Sequence, residues 1–380
     1  MRVVVSNPDG MGDVVLRLPM MRAILDAGHE LMVLCRGHAE HFVRRGLGPA
    51  AQVVVLQRDP YAMQREKIEQ FDADLIDRVH PFLQSDGVLA FGPYQWTILE
   101  EHLARIAAES GGTRVRMNGF RYLGGRSVDG IPGAERVVEV HEHWHESRKN
   151  AALCAGVLGK QVALGDPVLR ADETDLELAR KYLAAEHPRW WARAGSTGFW
   201  TGLMGNAGDY YAGLKEWGHE NWVDVVRHLI TNRGLCVLLT GAENERKSLE
   251  RIRSLIGLEE QVAVVTGDAS TSEGVSMILG LTSLSQAYIG KDSGPMHVAA
   301  ALGKPVVSLF GGGHWPRFTP LATPSLAVAV EMPCSPCGWF CRMSESYCVK
   351  LVPVSRVTAA IDAVADGSAT SRCVELLPRT

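Results

Sequence analysis

Residues 291–311, KDSGPMHVAAALGKPVVSLFG, gather the side chains best suited to hold an anion. Asp292-Ser293-Gly294 is a polar turn of small residues that runs straight into an apolar, alanine-rich helix. That helix stops at Gly303, and Pro305 starts a strand, VVSLF, closed by three glycines, Gly311 to Gly313. Small hydroxyl and glycine residues at a helix start let backbone N–H groups approach an anion, and the helix dipole favours negative charge there. His297, one turn further in, is able to donate to a phosphate or a sugar hydroxyl. The unit predicts a diphosphate holder at the carboxyl edge of a parallel sheet. Read as local structure alone, Gly294 and Gly303 only cap an ordinary helix.

Other segments carry chemistry less directly. The first strand, RVVVS, leads into NPDGMGDVVLRLPMMRAI, with Gly10, Gly12 and Asp13 at a helix start. Without a third glycine this is a weak dinucleotide fingerprint. Read from the sequence alone, Asp13 is an N-cap, its charge favoured by the helix dipole. TRVRMNGFRYLGGR offers Arg114, Arg116, Arg121 and Arg126, suited to an acidic acceptor or simply exposed on a loop. The D-x-D of Asp72 and Asp74 reads as a structural turn and short strand. His141, His143 and His145 alternate, but the following ESRKNAALCAGVLG predicts a helix start that scatters them. Cys334, Cys337, Cys341 and Cys348 lie within one short stretch after Pro333. Four thiolates suit zinc or iron, although C-x2-C-x3-C-x6-C departs from paired knuckles; free thiols or a local disulfide are the alternatives.

The elements that must position these residues are legible as alternation. Apolar runs (RVVVS, ELMVLC, AQVVVL, then LCVLLTG, QVAVVTG, QAYIG) are separated by helical patterns, which predicts an α/β chain with parallel sheets and helices on both faces. At 380 residues two domains are natural. The stretch 188–198 reads as a linker between them. Apolar content of 46% with 22% charged residues is ordinary for a globular protein. A net charge of −4 argues against general nucleic-acid binding. No run is long and apolar enough to span a bilayer, and no signal-peptide h-region opens the chain, so a cytoplasmic location is expected.

Taken together, these motifs resemble glycosyltransferase family 9, the ADP-heptose:lipopolysaccharide heptosyltransferases. The likeness runs through Asp292, Ser293, Gly294, His297, Ala299 to Leu302, Gly303, Pro305, Val307, Leu309, Phe310 and Gly311. It continues in Gly12-Asp13-Val14-Val15 with Leu18-Pro19, and in Lys215-x-Trp217 with Trp222. The resemblance implies a GT-B architecture, two Rossmann-like domains facing across a cleft. Residues 1–187 would form the acceptor domain, 188–354 the nucleotide-sugar domain with the cysteine cluster, and 355–380 a helix returning to the first domain. It makes Asp13 the general base with Gly12 beside the acceptor. Lys215 becomes the cation on the donor diphosphate, Glu243 the ligand of the ribose hydroxyls, and Asp292, Ser293, Gly294 and His297 the wall around diphosphate and sugar. Hydroxyl residues usual before the lysine are replaced here by Asn206-Ala207-Gly208-Asp209, so Asn206 or backbone N–H groups would substitute. Backbone near Thr266 to Thr271 would line the base. Trp217 and Trp222 read as core.

The implied activity is inverting, metal-independent transfer of a sugar, heptose by default, from a nucleotide diphosphate such as ADP-heptose to an acceptor hydroxyl. The acceptor would be a glycan or lipid-linked core in lipopolysaccharide synthesis, or else a protein or small natural product. Such a role needs no cofactor and fits peripheral association with the inner face of a membrane. A non-catalytic nucleotide-sugar-binding module is the rival from another class. A sugar-nucleotide epimerase would need a further carboxylate pair that the sequence does not supply.

Overall fold

The structure is a computed structural model. It describes residues 1–377 apart from 62–67, 84–86, 94–96, 110–115, 121–133, 140, 142 and 206–212. The chain divides into two compact units, Met1–Pro167 and Val168–Thr380.

In the first unit, β1 (Arg2–Asn7), α1 (Met11–Asp26), β2 (Glu30–Arg36), α2 (Gly37–Leu47) and β3 (Ala51–Leu56) open the series. They are followed by α3 (Ile68–Leu83), β4 (Gly87–Phe91), α4 (Ile98–Glu109), β5 (Arg116–Phe120), β6 (Ala134–Val138) and α5 (Glu146–Leu158). The strands form one six-stranded sheet in the order β3-β2-β1-β4-β5-β6. Every pair is parallel, so both faces must be covered and strands read as unbroken apolar runs. Val4, Leu34, Leu89 and Leu103 lie in the core of this unit.

The second unit runs α6 (Glu173–Glu186), α7 (Pro188–Thr197), β7 (Phe199–Gly202), α8 (His219–Thr231), β8 (Cys236–Ala242), α9 (Arg246–Ile256) and β9 (Val262–Gly267). Then come α10 (Ser272–Leu284), β10 (Ala287–Lys291), α11 (Gly294–Ala301), β11 (Val306–Phe310), β12 (Ser325–Val330), α12 (Tyr347–Lys350), α13 (Val354–Ala365) and β13 (Arg372–Leu377). Its sheet is ordered β13-β12-β11-β10-β7-β8-β9 and is again parallel. Counted from its own first strand this is the doubly wound order of the first sheet with one strand added. Each unit thus has a switch point, between β1 and β4 and between β7 and β10, where connections leave in opposite directions and ligands bind beyond the carboxyl ends. At the second switch point the backbones meet closely: a Cβ on Gly202 would stand 1.9 Å from the Ile289 carbonyl oxygen.

Four expectations change. Residues 188–197 form a helix, not a linker. Pro188 occupies the first turn, where its missing N–H costs nothing, and Trp190 and Ala194 bury one face against Phe199 and Leu238. The boundary falls before α6, because Ala179 and Leu183 of that helix pack with Leu281 of α10. The helix after residue 354 belongs to the second unit. Val357, Ala360, Ile361 and Val364 form an i, i+3, i+4, i+7 stripe in a core shared with Val226, Leu309 and Val328, and His228 Nε2 lies 2.7 Å from Asp362. The D-x-D lies within α3 and not in a turn and strand.

Candidate active site

In the first unit the loop from β1 to α1 leaves the sheet at the switch point. The cap position of α1 is Gly10, which has no side-chain cap, and Asp13 sits half-buried two residues beyond the first helical residue. Asp13 is therefore not the cap, and its carboxylate stands in the first turn with the dipole favouring its charge. Gly12 precedes it in the same turn. Beneath the loop lies a fully buried Arg17, one helical turn from Asp13. Its guanidinium donates to Asp9 Oδ2 at 3.1 Å, to the Gly92 carbonyl at 2.8 Å and to Asn7 Oδ1, and lies 3.7 Å from the Glu146 carboxylate. Tyr61 donates to the other oxygen of Asp9 at 2.5 Å. One arginine thus ties the loop after β1 to the residue after β4 and to α5, which fixes the backbone that presents Asp13. Glu100, fully buried in the first turn of α4, accepts from the Thr97 N–H and hydroxyl at 2.8 and 2.6 Å; burial pushes its carboxyl up to about 7.

Of the arginines expected at an acceptor site, Arg114, Arg121 and Arg126 lie outside the described residues. Arg116 begins β5, and its guanidinium reaches the Met1 sulfur. That is the amino edge of the sheet, opposite the edge carrying Asp13, because all six strands are parallel. Arg116 is removed from the candidate acceptor site on these grounds.

In the second unit the switch point gathers Lys215, Asp292, Ser293 and Gly294. The Lys215 ammonium donates to the Asp292 carbonyl at 2.9 Å and to its carboxylate at 3.3 Å. Ser293 holds the cap position of α11, but its hydroxyl donates to the Lys291 carbonyl at 3.1 Å and does not cap the helix. The first turn of α11 is left without a side-chain acceptor, the state in which a helix start receives an anion. His297 is buried within α11, its ring 6.2 Å from that of Phe318. On the neighbouring strand end, Glu243 is gripped by Arg246 at 2.6 and 2.9 Å and by the Thr266 hydroxyl at 2.6 Å. The Arg246 and Thr266 hydrogen bonds hold its carboxyl down at about 2. Asn206 lies outside the described residues. Trp217 and Trp222 are core, as expected, packed edge to face.

Sequence reasoning missed the support under this site. Lys291, at the end of β10, is almost fully buried; its ammonium donates to the Gly205 carbonyl and lies 3.5 Å from the Glu245 carboxylate. Glu245 in turn accepts from the Ala242 N–H at 3.0 Å. The pair fastens together the ends of β7, β8 and β10, the three strands that carry the candidate donor residues. A lysine closing an otherwise apolar strand, AYIGK, was the available signal.

Of the alternatives open for the cysteine segment, the structure has free thiols. All four thiols are free, Cys334 exposed and Cys348 buried, and Cys341 Sγ points to the Glu345 carbonyl at 3.7 Å. Among the described residues no three His, Cys, Asp or Glu side chains are gathered so as to hold a metal ion. The four sulfurs share a neighbourhood, and burial with the nearby thiols pushes Cys337 and Cys348 up, but they do not converge as ligands. What the segment delivers is Trp339, whose ring packs on the glycines after β11. A Cβ on Gly313 would stand 2.2 Å from that ring, and one on Gly311 2.6 Å. This close approach explains Gly311 and Gly313, while Gly312 faces Ser335, 3.2 Å from where its Cβ would stand. His145, the last of the alternating histidines, caps α5 by accepting from the Ser147 N–H at 3.1 Å.

Two parallel sheets of doubly wound order, with an anion-ready helix start at one switch point and a helix-borne carboxylate at the other, define the two-unit α/β glycosyltransferase class. Residues 139–345, more than half of the chain, match the family described as glycosyltransferase family 9 (heptosyltransferase), and the chain belongs to that family. It is 31% identical over 115 residues to lipopolysaccharide heptosyltransferase 2 of Salmonella typhimurium, a stretch covering 30% of this chain and 31% of that relative's length. Its fold is similar to that of Escherichia coli ADP-heptose lps heptosyltransferase II, with a TM-score of 0.68 and 18% identity over 97% of this chain and 99% of the other. It is also similar to a dodecameric iron-containing heptosyltransferase, TibC, solved with ADP-D-beta-D-heptose, with a TM-score of 0.54 and 13% identity over 97% of this chain and 77% of the other. The GT-B fold expected from the sequence is the one these structures share. No helix among the described residues is long and apolar enough to cross a membrane.

Proposed function

We propose that the protein is an inverting, metal-independent glycosyltransferase that moves heptose from ADP-heptose to an acceptor hydroxyl of a lipopolysaccharide core. The observation that carries this is the set at the second switch point: a lysine held by Asp292 beside an uncapped helix start, with an ionised Glu243 on the adjoining strand end. A diphosphate takes the place that the Asp292 carboxylate shares on Lys215, and the Gly294 N–H at the start of α11, with the helix dipole behind it, donates to its oxygens. Glu243 accepts from the ribose hydroxyls. His297 and Asp292 stand beside the sugar.

In the transfer, the bond from the anomeric carbon to the diphosphate oxygen breaks as the acceptor oxygen bonds to that carbon from the opposite face. The acceptor proton passes to the Asp13 carboxylate, and the electron pair leaves with the diphosphate, whose added charge Lys215 and the helix start stabilise. The names of the relatives support heptose and lipopolysaccharide as the substrate classes. A lipid-linked acceptor would place the enzyme at the inner face of a membrane.

The test measures ADP release from ADP-heptose with a lipid-core acceptor, alongside calorimetric ADP binding. Asp13→Asn is expected to slow transfer by roughly a hundredfold or more with ADP affinity unchanged. Lys215→Met should weaken ADP binding itself. Transfer by Asp13→Asn at the wild-type rate would remove the base assignment, and ADP binding without any transfer by the wild type would favour a binding module.

A further inference from the structure

We propose that Trp339 is a positioning residue of the donor site, which holds the Lys215 ammonium in place for the diphosphate. The proposal rests on the assignment of Lys215 to the donor diphosphate and adds a residue from the cysteine segment to that site.

Four observations meet at this side chain. The Lys215 ammonium lies over the Trp339 ring, 5.1 Å from its centroid. Two of the three ammonium donors go to Asp292, so the ring and Asp292 together fix the lysine while one donor stays available for a phosphate oxygen. Trp339 is also the one non-glycine residue with positive φ among the described residues, at 65°, an outlier for a bulky side chain that the surroundings must enforce. The enforcement is visible. The Gly338 N–H donates to the Gly313 carbonyl at 2.8 Å, and the Ser335 hydroxyl donates to the Gly312 carbonyl at 2.9 Å, which zips the segment onto the glycine run. Finally, the indole is buried, and its N–H meets no acceptor among the described residues. A tryptophan placed only to fill a core would ordinarily sit in relaxed backbone with that N–H satisfied. Here both are given up to bring the ring's face under a lysine.

The segment therefore acts on the site through packing and the quadrupole of one ring. Cys337 and Cys341 flank it along the chain. A lysine held by carboxylate and ring loses less freedom when the diphosphate arrives than a lysine free in solvent, and that preorganisation appears as affinity.

The experiment is a double-mutant cycle on ADP binding by calorimetry, with donor KM and kcat measured on the same proteins. Trp339→Leu is expected to weaken ADP binding and raise donor KM roughly tenfold while kcat changes less than about threefold, and Trp339→Phe, which keeps a ring face, should recover most of the loss. In a Lys215→Met background, Trp339→Leu should have no further effect. Additive losses in the two backgrounds, or a Trp339→Phe protein as weak as Trp339→Leu, would overturn the proposal and leave Trp339 a packing residue. If Lys215→Met alone leaves ADP affinity unchanged, it is the diphosphate assignment that fails. A melting temperature measured for each variant separates lost folding from lost affinity.

Discussion

Replacing Lys291 with methionine tests whether the buried ion pair under the donor site is a structural tie or dispensable. The ammonium lies 3.5 Å from Glu245, with the two side chains only 7% and 10% exposed, and it also supplies a donor to the Gly205 carbonyl. Burial pulls the Lys291 ammonium below its ordinary range, and Glu245 is the largest influence opposing that. Lys291→Met keeps the apolar stem, deletes the charge and strands a carboxylate whose remaining partner is the Ala242 N–H. Breaking a buried pair by removing one member costs about 3–5 kcal/mol, whereas replacing both members with apolar groups of similar size is often close to neutral. Lys291→Met is therefore expected to lose about 3 kcal/mol or more, and Lys291→Met/Glu245→Met to recover most of it. Urea unfolding followed by tryptophan fluorescence suits the assay, since seven of the nine tryptophans lie beyond residue 167 and report the second unit. A single variant that loses less than about 1 kcal/mol, or a double variant no better than the single, would refute the reasoning.

Two further outcomes follow from titrating carboxyls. Glu100 has an ordinary value of 4.5 and is pushed to about 7 by burial. Between those values the folded chain holds a proton that the unfolded chain has released, so stability falls as pH rises through that window and levels off above it, by about 3 kcal/mol in all. Glu100→Gln should flatten this slope, as seen by hydrogen exchange of first-unit peptides from pH 4.5 to 8; an unchanged slope would place the titration elsewhere. Glu243, held near 2, stays ionised across that range, so its ligand role should show no pH dependence there. Glu243→Gln is expected to weaken ADP several-fold, on the scale of one hydrogen bond to a charged group, and to bind ADP and 2′-deoxy-ADP alike. A retained preference for ADP would remove Glu243 from the ribose.

The alternation of apolar runs with helical patterns carried both sheets into view before any coordinates, because a parallel strand buried on both faces must be apolar throughout. The signature at 291–311 located one switch point for the same reason: its turn, helix and strand are consecutive in the chain. What stayed hidden depended on partners far away. Lys291 meets Gly205 across 86 residues, and Trp339 meets Lys215 with five strands between them in the chain. The stripe Val357, Ala360, Ile361 and Val364 announced a buried helix but could not say which sheet it covers. The spacing of four cysteines fixed their nearness along the chain and not the directions of their sulfurs. The stretch 188–198 reads as a linker in sequence, although its proline equally suits a helix start.

The connection that follows β12 bears on how enzymes of this build diversify. It leaves the sheet at Val330, rejoins regular structure at Tyr347, and between those points brings the Trp339 ring against Gly311 and Gly313 and under Lys215 of the proposed donor site. Its takeoff and landing are fixed by strand and helix, so residues 331–346 constitute a cassette. Exchanging that cassette together with Gly311 to Gly313 for a relative's would transplant one wall of the proposed donor site while every strand and the proposed base, Asp13, stay as they are.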